Sequence, residues 1–155
     1  MAFNISSTAF EYGVRIPAVH TCDGGHLSPP LQWEGEPKET VTFALIVEDP
    51  DAPEGTFTHW IIYNLPSNCH QLEKKIFIDK NLDNGGIQAK NDFGSTGYKG
   101  PCPPKGEEHH YFFRIYALKR KLAPESIRTG VDFLSAIEGL VLDKAEYMGL
   151  YKRSI

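Results

Sequence analysis

Four side chains in this sequence have the types and neighbours that chemistry needs: Asp49, His59, His109 and Tyr111. Asp49 stands where an apolar run ends, immediately before Pro50. Proline holds the preceding residue in extended geometry, so this carboxylate is fixed at a strand end. Pro53 adds a second rigid point. His59 opens the next apolar run beside Trp60, with one side towards a core and one end at a sheet rim, and its charge can change near neutral pH. His109 and Tyr111 lie two apart at the start of a third run, so strand alternation sets both on one face and His110 on the other. An imidazole and a phenol side by side offer two hydrogen-bond donors on a rigid floor. Residues 94–106 add Gly94, Gly97, Gly100 and Gly106 among Pro101, Pro103 and Pro104. Successive glycine N–H groups can point into one concavity and bind an anion there. The combination suits a small anion such as phosphate, with Asp49 accepting from a protonated phosphate or orienting a histidine.

Other readings of the same residues exist. Asp49 and Asp51 can simply accept backbone N–H groups in a turn, and His59 can be a satisfied core histidine. A hydrolase or phosphotransferase could use Asp49, His59 and His109, but the sequence has no G-x-S-x-G elbow, and Ser95 and Cys102 lie in loops without a nucleophile signature. Two histidines and a carboxylate also match a mononuclear metal triad. A tyrosine and a glycine loop suit an anion better, so no metal and no cofactor are expected.

The elements that must position these groups read as strands. Residues 40–48 are β-rich, with Phe43, Leu45 and Val47 on one face and Ala44 and Ile46 on the other; a strand covered on both sides fits that pattern. Residues 58–65, stopped by Pro66, and 110–118 are the second and third strands, with weaker candidates at 3–10, 31–33 and 76–78. Apolar residues Phe133, Leu134, Ile137, Val141, Ala145 and Met148 recur at three- and four-residue spacing, which predicts a helix over 131–147, closed by Gly149. Many strands followed by a helix predict a mainly β sandwich with peripheral helices.

The chain has 155 residues, 41% of them hydrophobic and 12% aromatic, which is enough for one domain spanning 1–155 and too apolar for a disordered chain. Fourteen glycines and 11 prolines predict many turns and short strands. The net charge of −4 and the short basic clusters Lys119-Arg120-Lys121 and Lys152-Arg153, read as solvated surface, argue against a nucleic-acid partner. No apolar run approaches the roughly 20 residues of a membrane span. The first seven residues lack a basic segment followed by an apolar one, so the expected compartment is the cytoplasm. Cys22, Cys69 and Cys102 are odd in number with no CxxC, and free thiols are expected in a reducing compartment.

Several of these motifs carry a family resemblance. Asp49-Pro50-Asp51-Ala52-Pro53, Thr58-His59-Trp60, the run Gly97-Tyr98-Lys99-Gly100-Pro101-Cys102-Pro103-Pro104-Lys105-Gly106 and His109-His110-Tyr111 closely resemble the phosphatidylethanolamine-binding protein family. Cys22-Asp23-Gly24, Ser28-Pro29-Pro30-Leu31-Gln32-Trp33 and the ending Ala145-Glu146-Tyr147-Met148-Gly149-Leu150-Tyr151 are similar to its bacterial and archaeal branch. The resemblance runs over nearly the whole chain. It implies an antiparallel β-sandwich of a large and a small sheet with a C-terminal helix. It also implies a small-anion pocket at one end, lined by Asp49, His59, Gly100, Pro103, His109 and Tyr111. The implied ligands are phosphate, phosphate esters and phospholipid head groups, and the implied activity is binding rather than catalysis. Eukaryotic members inhibit kinases or proteases by binding them; for this chain a kinase or protease partner and a homodimer are left open. The resemblance also implies a cis Ala52–Pro53 bond, and it brings Cys22 and Cys102 to the same end of the sandwich. Two departures stand out: the stretch from Gly106 to His109 is one residue shorter than in mammalian relatives, and Leu140 stands where bacterial relatives often have histidine.

Overall fold

The computed structural model describes residues 2–78 and 81–154. Eight strands are formed: β1 (Asn4–Ser6), β2 (Leu31–Glu34), β3 (Thr42–Asp49), β4 (Phe57–Pro66), β5 (Gln71–Leu72), β6 (Ile87–Gln88), β7 (Glu108–Leu118) and β8 (Val141–Lys152). One α-helix, α1 (Gly130–Ile137), precedes β8. The strands make a small sheet in the order β1-β2-β5 and a large one in the order β6-β4-β3-β7-β8. Every strand pairing within them is antiparallel. This is the mainly β sandwich that the strand pattern predicts, with the large and small sheets that the resemblance implies.

The double-sided character of β3 explains the layering. Phe43, Leu45 and Val47 join Ile5, Leu31 and Trp33 of the small sheet in the core between the sheets. Ala44 and Ile46 point the other way, into a second core with Phe133 and Ile137 of α1. All eight residues of β3 are buried, so its strand end is a rigid platform for Asp49.

The last element differs from expectation. The helix stops at Ile137, and the chain continues as β8, paired with β7 from Leu118↔Val141 to Glu108↔Lys152. Thr129 caps α1 by accepting from the Asp132 N–H at 3.1 Å, and Gly139 at φ 79° turns the chain into the strand. From Ala145 to Tyr151 burial alternates with period two. Gly149 is not a helix stop: a Cβ there would lie 2.5 Å from Ile16 Cγ1, so glycine lets segment 10–16 pack over the strand. Residues 76–78 form no strand either, because the Ile76 N–H donates to Ser28 Oγ rather than to a neighbouring strand. The Ala52–Pro53 bond is trans, and no cis bond occurs among the described residues. The reversal there is made by the Asp51 N–H on Asp49 Oδ1 and by Gly55 at φ 109°. No helix of the described residues is long and apolar enough to cross a membrane.

Candidate functional site

Asp49, His59, Pro103 and His109 line one cavity of about 300 Å³, together with Ala52, Pro53, Phe57, Phe93, Cys102, Pro104 and Arg153. The strand ends converge as the sequence requires: Asp49 closes β3, Phe57 and His59 open β4, and His109 opens β7. The register adds a device the sequence does not announce. Val47 pairs with Trp60 and Glu48 with Thr58, so His59 is the extra residue of a β-bulge, a feature that re-aims a side chain at a sheet rim.

The floor of the cavity is an ion pair. Asp49 Oδ2 and His109 Nδ1 are 2.7 Å apart, with side chains 5% and 4% exposed. The other Asp49 oxygen accepts from the Asp51 N–H at 2.8 Å. Burial pulls the His109 pKa down, but the hydrogen bond and charge of Asp49, helped by Glu107 and Asp51, outweigh it and leave the pKa above the usual histidine value. With Nδ1–H bonded to the carboxylate, the protonated ring offers Nε2–H as a second donor, and Glu107 Oε1 stands 3.4 Å from it. On the opposite face His110 binds Asp51 Oδ2 at 2.6 Å in solvent, as strand alternation predicts.

His59 behaves differently. Its Nδ1 donates to the Lys99 carbonyl at 2.6 Å, and the Lys99 N–H donates back to the His59 carbonyl at 3.2 Å. Burial pushes its pKa down to about 4, against the smaller opposing effects of the Lys99 carbonyl, Asp49 and Asp92. The ring is therefore neutral at pH 7. The sequence leaves the charge of this ring open near neutral pH, and burial settles it as neutral. The sign for stability follows from linkage. Between pH 6.5 and about 4 the unfolded chain takes up a proton that folded His59 refuses. Acidification over that window thus removes about 3 kcal/mol of stability. A nitrogen-detected NMR titration is expected to show His59 as the neutral Nδ1–H tautomer at pH 6, charging only near 4; a charged ring at pH 6 would contradict this account.

Tyr111 and Gly100 support the cavity from behind rather than lining it. Tyr111 is fully buried, its ring 5.4 Å from that of His59 and 6.4 Å from that of His109. Its hydroxyl has no well-formed hydrogen bond, and burial together with the nearby Asp49 charge holds it far from ionising. The Gly100 N–H donates to His26 Nδ1 at 3.1 Å, and a Cβ there would lie 1.8 Å from the His20 carbonyl oxygen. Glycine is needed at that point for two loops to touch. The other glycine N–H groups are engaged too, Gly94 with Asn91, Gly97 with Ala89 and Gly106 with Arg153, all through carbonyls. The glycines of this loop therefore serve close packing, and the expected anion nest does not form.

The same contact overturns the thiol expectation. The Cys22 N–H donates to the Pro101 carbonyl at 3.1 Å, and Cys22 and Cys102, with Cα atoms 5.4 Å apart, are joined in a disulfide. Only Cys69 is free. The expectation rested on compartment chemistry, whereas the loop contact decides the geometry. Of the two candidate nucleophiles, Cys102 is thus bonded and Ser95 Oγ is engaged with Asn91. Asp49, His59 and His109 do not form a metal-type cluster, and no group of three histidine, cysteine or acidic side chains among the described residues does so.

Arg153 is the residue the sequence reading missed. Taken as solvated surface, it extends from the end of β8 into the cavity lining, with Nε 3.4 Å from Asp23 Oδ1. Tyr151 O–H holds the other Asp23 oxygen at 2.6 Å. Around these charges the wall is apolar. Phe57 and Phe93 meet edge to face at 4.7 Å, and Lys99 Nζ stands 5.5 Å above the Phe93 ring. Leu140, the departure noted in the sequence, lies in the core under α1 and not in this cavity.

Comparison with known proteins agrees with this architecture. The sequence model for "Phosphatidylethanolamine-binding protein" matches residues 6–152. A UPF0098 protein of Methanothermobacter thermautotrophicus is 47% identical, over 97% of this chain and 99% of that protein. One from Aquifex aeolicus is 44% identical, over 96% and 88%. Among solved structures, the phosphatidylethanolamine-binding protein homologue CT736 of Chlamydia trachomatis superposes with a TM-score of 0.87 at 38% identity, covering 99% of each chain. YbcL of E. coli, described as a new member of the mammalian PEBP family, superposes with a TM-score of 0.91 at 33% identity, covering 98% of this chain and 99% of that one.

Proposed function

The chain belongs to the phosphatidylethanolamine-binding protein family, and from that premise we propose that it is a non-enzymatic binding protein whose cavity takes phosphate or a phosphate ester. The observation that carries this reading is the Asp49–His109 pair, in which the carboxylate favours the protonated imidazole at the floor of a cavity that Arg153 also enters. Two donors of positive charge inside an apolar wall favour a small anion over a neutral solute. The apolar lip of Phe57, Phe93, Pro103 and Pro104 suits an organic group attached to that anion. A kinase or protease, if one is bound, would dock over this mouth and compete with the ligand. The Cys22–Cys102 bond favours an oxidising compartment over the cytoplasm, where thiols are kept reduced.

Calorimetric titration of chelator-treated protein with inorganic phosphate tests the reading. Binding is expected to tighten as pH falls from 8 to 6, because a bound anion favours the protonated form of His109 and the complex therefore takes up protons. A metal site would weaken instead, since its ligands must lose protons. Affinity that rises with pH, or that vanishes on chelation, would exclude the proposal.

A further inference from the structure

A count of donors and acceptors around the cavity gives an unequal result. Asp49 brings two acceptor oxygens, already occupied by His109 and by the Asp51 N–H. Glu107 brings a third carboxylate oxygen near the His109 Nε2. His59 adds one more acceptor. A carbonyl can only accept, so the 2.6 Å contact with Lys99 fixes the ring proton on Nδ1. Nε2 then carries a lone pair, and among the described residues it has no hydrogen-bond partner. The ring is held there by Phe57 at 5.0 Å, Phe93 at 5.6 Å and Tyr111 at 5.4 Å, so it cannot turn its donor edge to a ligand without losing the Lys99 bond.

An anion without a proton meets this lone pair with nothing to give. An anion that carries a proton can donate it to Nε2 while its other oxygens accept from His109 and Arg153. Resting on the anion-pocket reading, we infer that the cavity selects oxyanions that bear their own O–H, inorganic phosphate or a phosphate monoester as its monoanion, with His59 Nε2 as the acceptor that enforces the choice. Phosphodiesters and sulfates, which have no such proton, are disfavoured at equal charge. The groups that face His59 are Asp49, Asp92 and His26. Burial, helped by His26, outweighs the pull of Asp49 and Asp92 towards the charged ring and keeps it neutral across the pH range in which monoesters are singly charged. A bare anion therefore gains nothing by protonating the ring first.

Methyl phosphate and methyl sulfate test the inference, because their monoanions match in charge and nearly in shape and differ by the one proton. At about pH 5.5, below the second pKa of roughly 6 of a phosphate monoester, methyl phosphate is expected to bind wild-type protein about tenfold tighter or more in calorimetry, since a buried acceptor left unpaired is what separates such analogues. Dimethyl phosphate is expected to bind as weakly as methyl sulfate. A smaller ratio between methyl phosphate and methyl sulfate, or a diester that binds as tightly as the monoester, overturns the selection by His59 and leaves the anion pocket standing. Failure of every ligand, inorganic phosphate included, overturns the pocket itself.

Discussion

Replacing Asp49 with alanine is expected to destabilise the protein by about 3–5 kcal/mol at neutral pH, because it leaves one member of a buried ion pair without its partner. The Asp49 and His109 side chains are 5% and 4% exposed and 2.7 Å apart, so neither finds water as a substitute. The change also orphans the Asp51 N–H and removes what fixes the His109 tautomer. Without the carboxylate, the main effect opposing burial is gone and the His109 pKa falls. The sign can be checked in the pH profile. A raised histidine pKa gives stability that is complete below 6.5 and is lost as pH rises through the folded-state value. That contribution disappears in Asp49→Ala, and phosphate affinity falls with the charge of His109. Asp49→Asn keeps an acceptor for the Asp51 N–H and is expected to cost less. Urea denaturation and a His109 NMR titration measure both effects. A loss below 1 kcal/mol with an unchanged His109 pKa would mean that the pair does not hold the floor of the cavity.

The second large effect is on the Cys22–Cys102 bond, whose partners are 80 residues apart in sequence. Loop-closure entropy assigns such a cross-link about 4 kcal/mol. Cys22→Ser is expected to lower the melting temperature by about 10 °C for a chain of this length, whereas Cys69→Ser changes little. The bond ties the turn at residues 18–24 to the segment that supplies Cys102, Pro103 and Pro104 to the cavity wall. Its loss is therefore expected to weaken anion binding as well. Alkylation without reductant is expected to label one cysteine, and three after reduction; three labels on native protein would disprove the bond.

How much of this was legible in the sequence varies with the kind of signal. β3 was readable because each face is apolar for its own reason, and the structure supplies a separate core for each. β8 was not. Ile137, Val141 and Ala145 are spaced by four, which satisfies a helix turn and two strand repeats alike, and only the burial of Tyr147, Gly149 and Tyr151 separates them. Asp49, His59 and His109 could be found because prolines, strand ends and alternation constrain them locally. Arg153 could not, because its place in the cavity depends on the β7–β8 register across the sheet. The His59 tautomer was hidden for the same reason: the Lys99 carbonyl that fixes it is 40 residues away. The glycines of 94–106 were seen but misread. Their freedom is used to bring Gly100 against His20 and Gly97 against Ile78, not to cradle an anion.

The central claim is that a cationic His109, seated on Asp49, receives an anion in this cavity. A crystal structure of the protein grown with inorganic phosphate tests it most directly. The account predicts a tetrahedral anion in the cavity, with one oxygen within about 3 Å of His109 Nε2 and another facing the Arg153 guanidinium. Phosphate ordered elsewhere on the surface with this cavity empty, or a metal ion held among Asp49, His59 and His109, would contradict it.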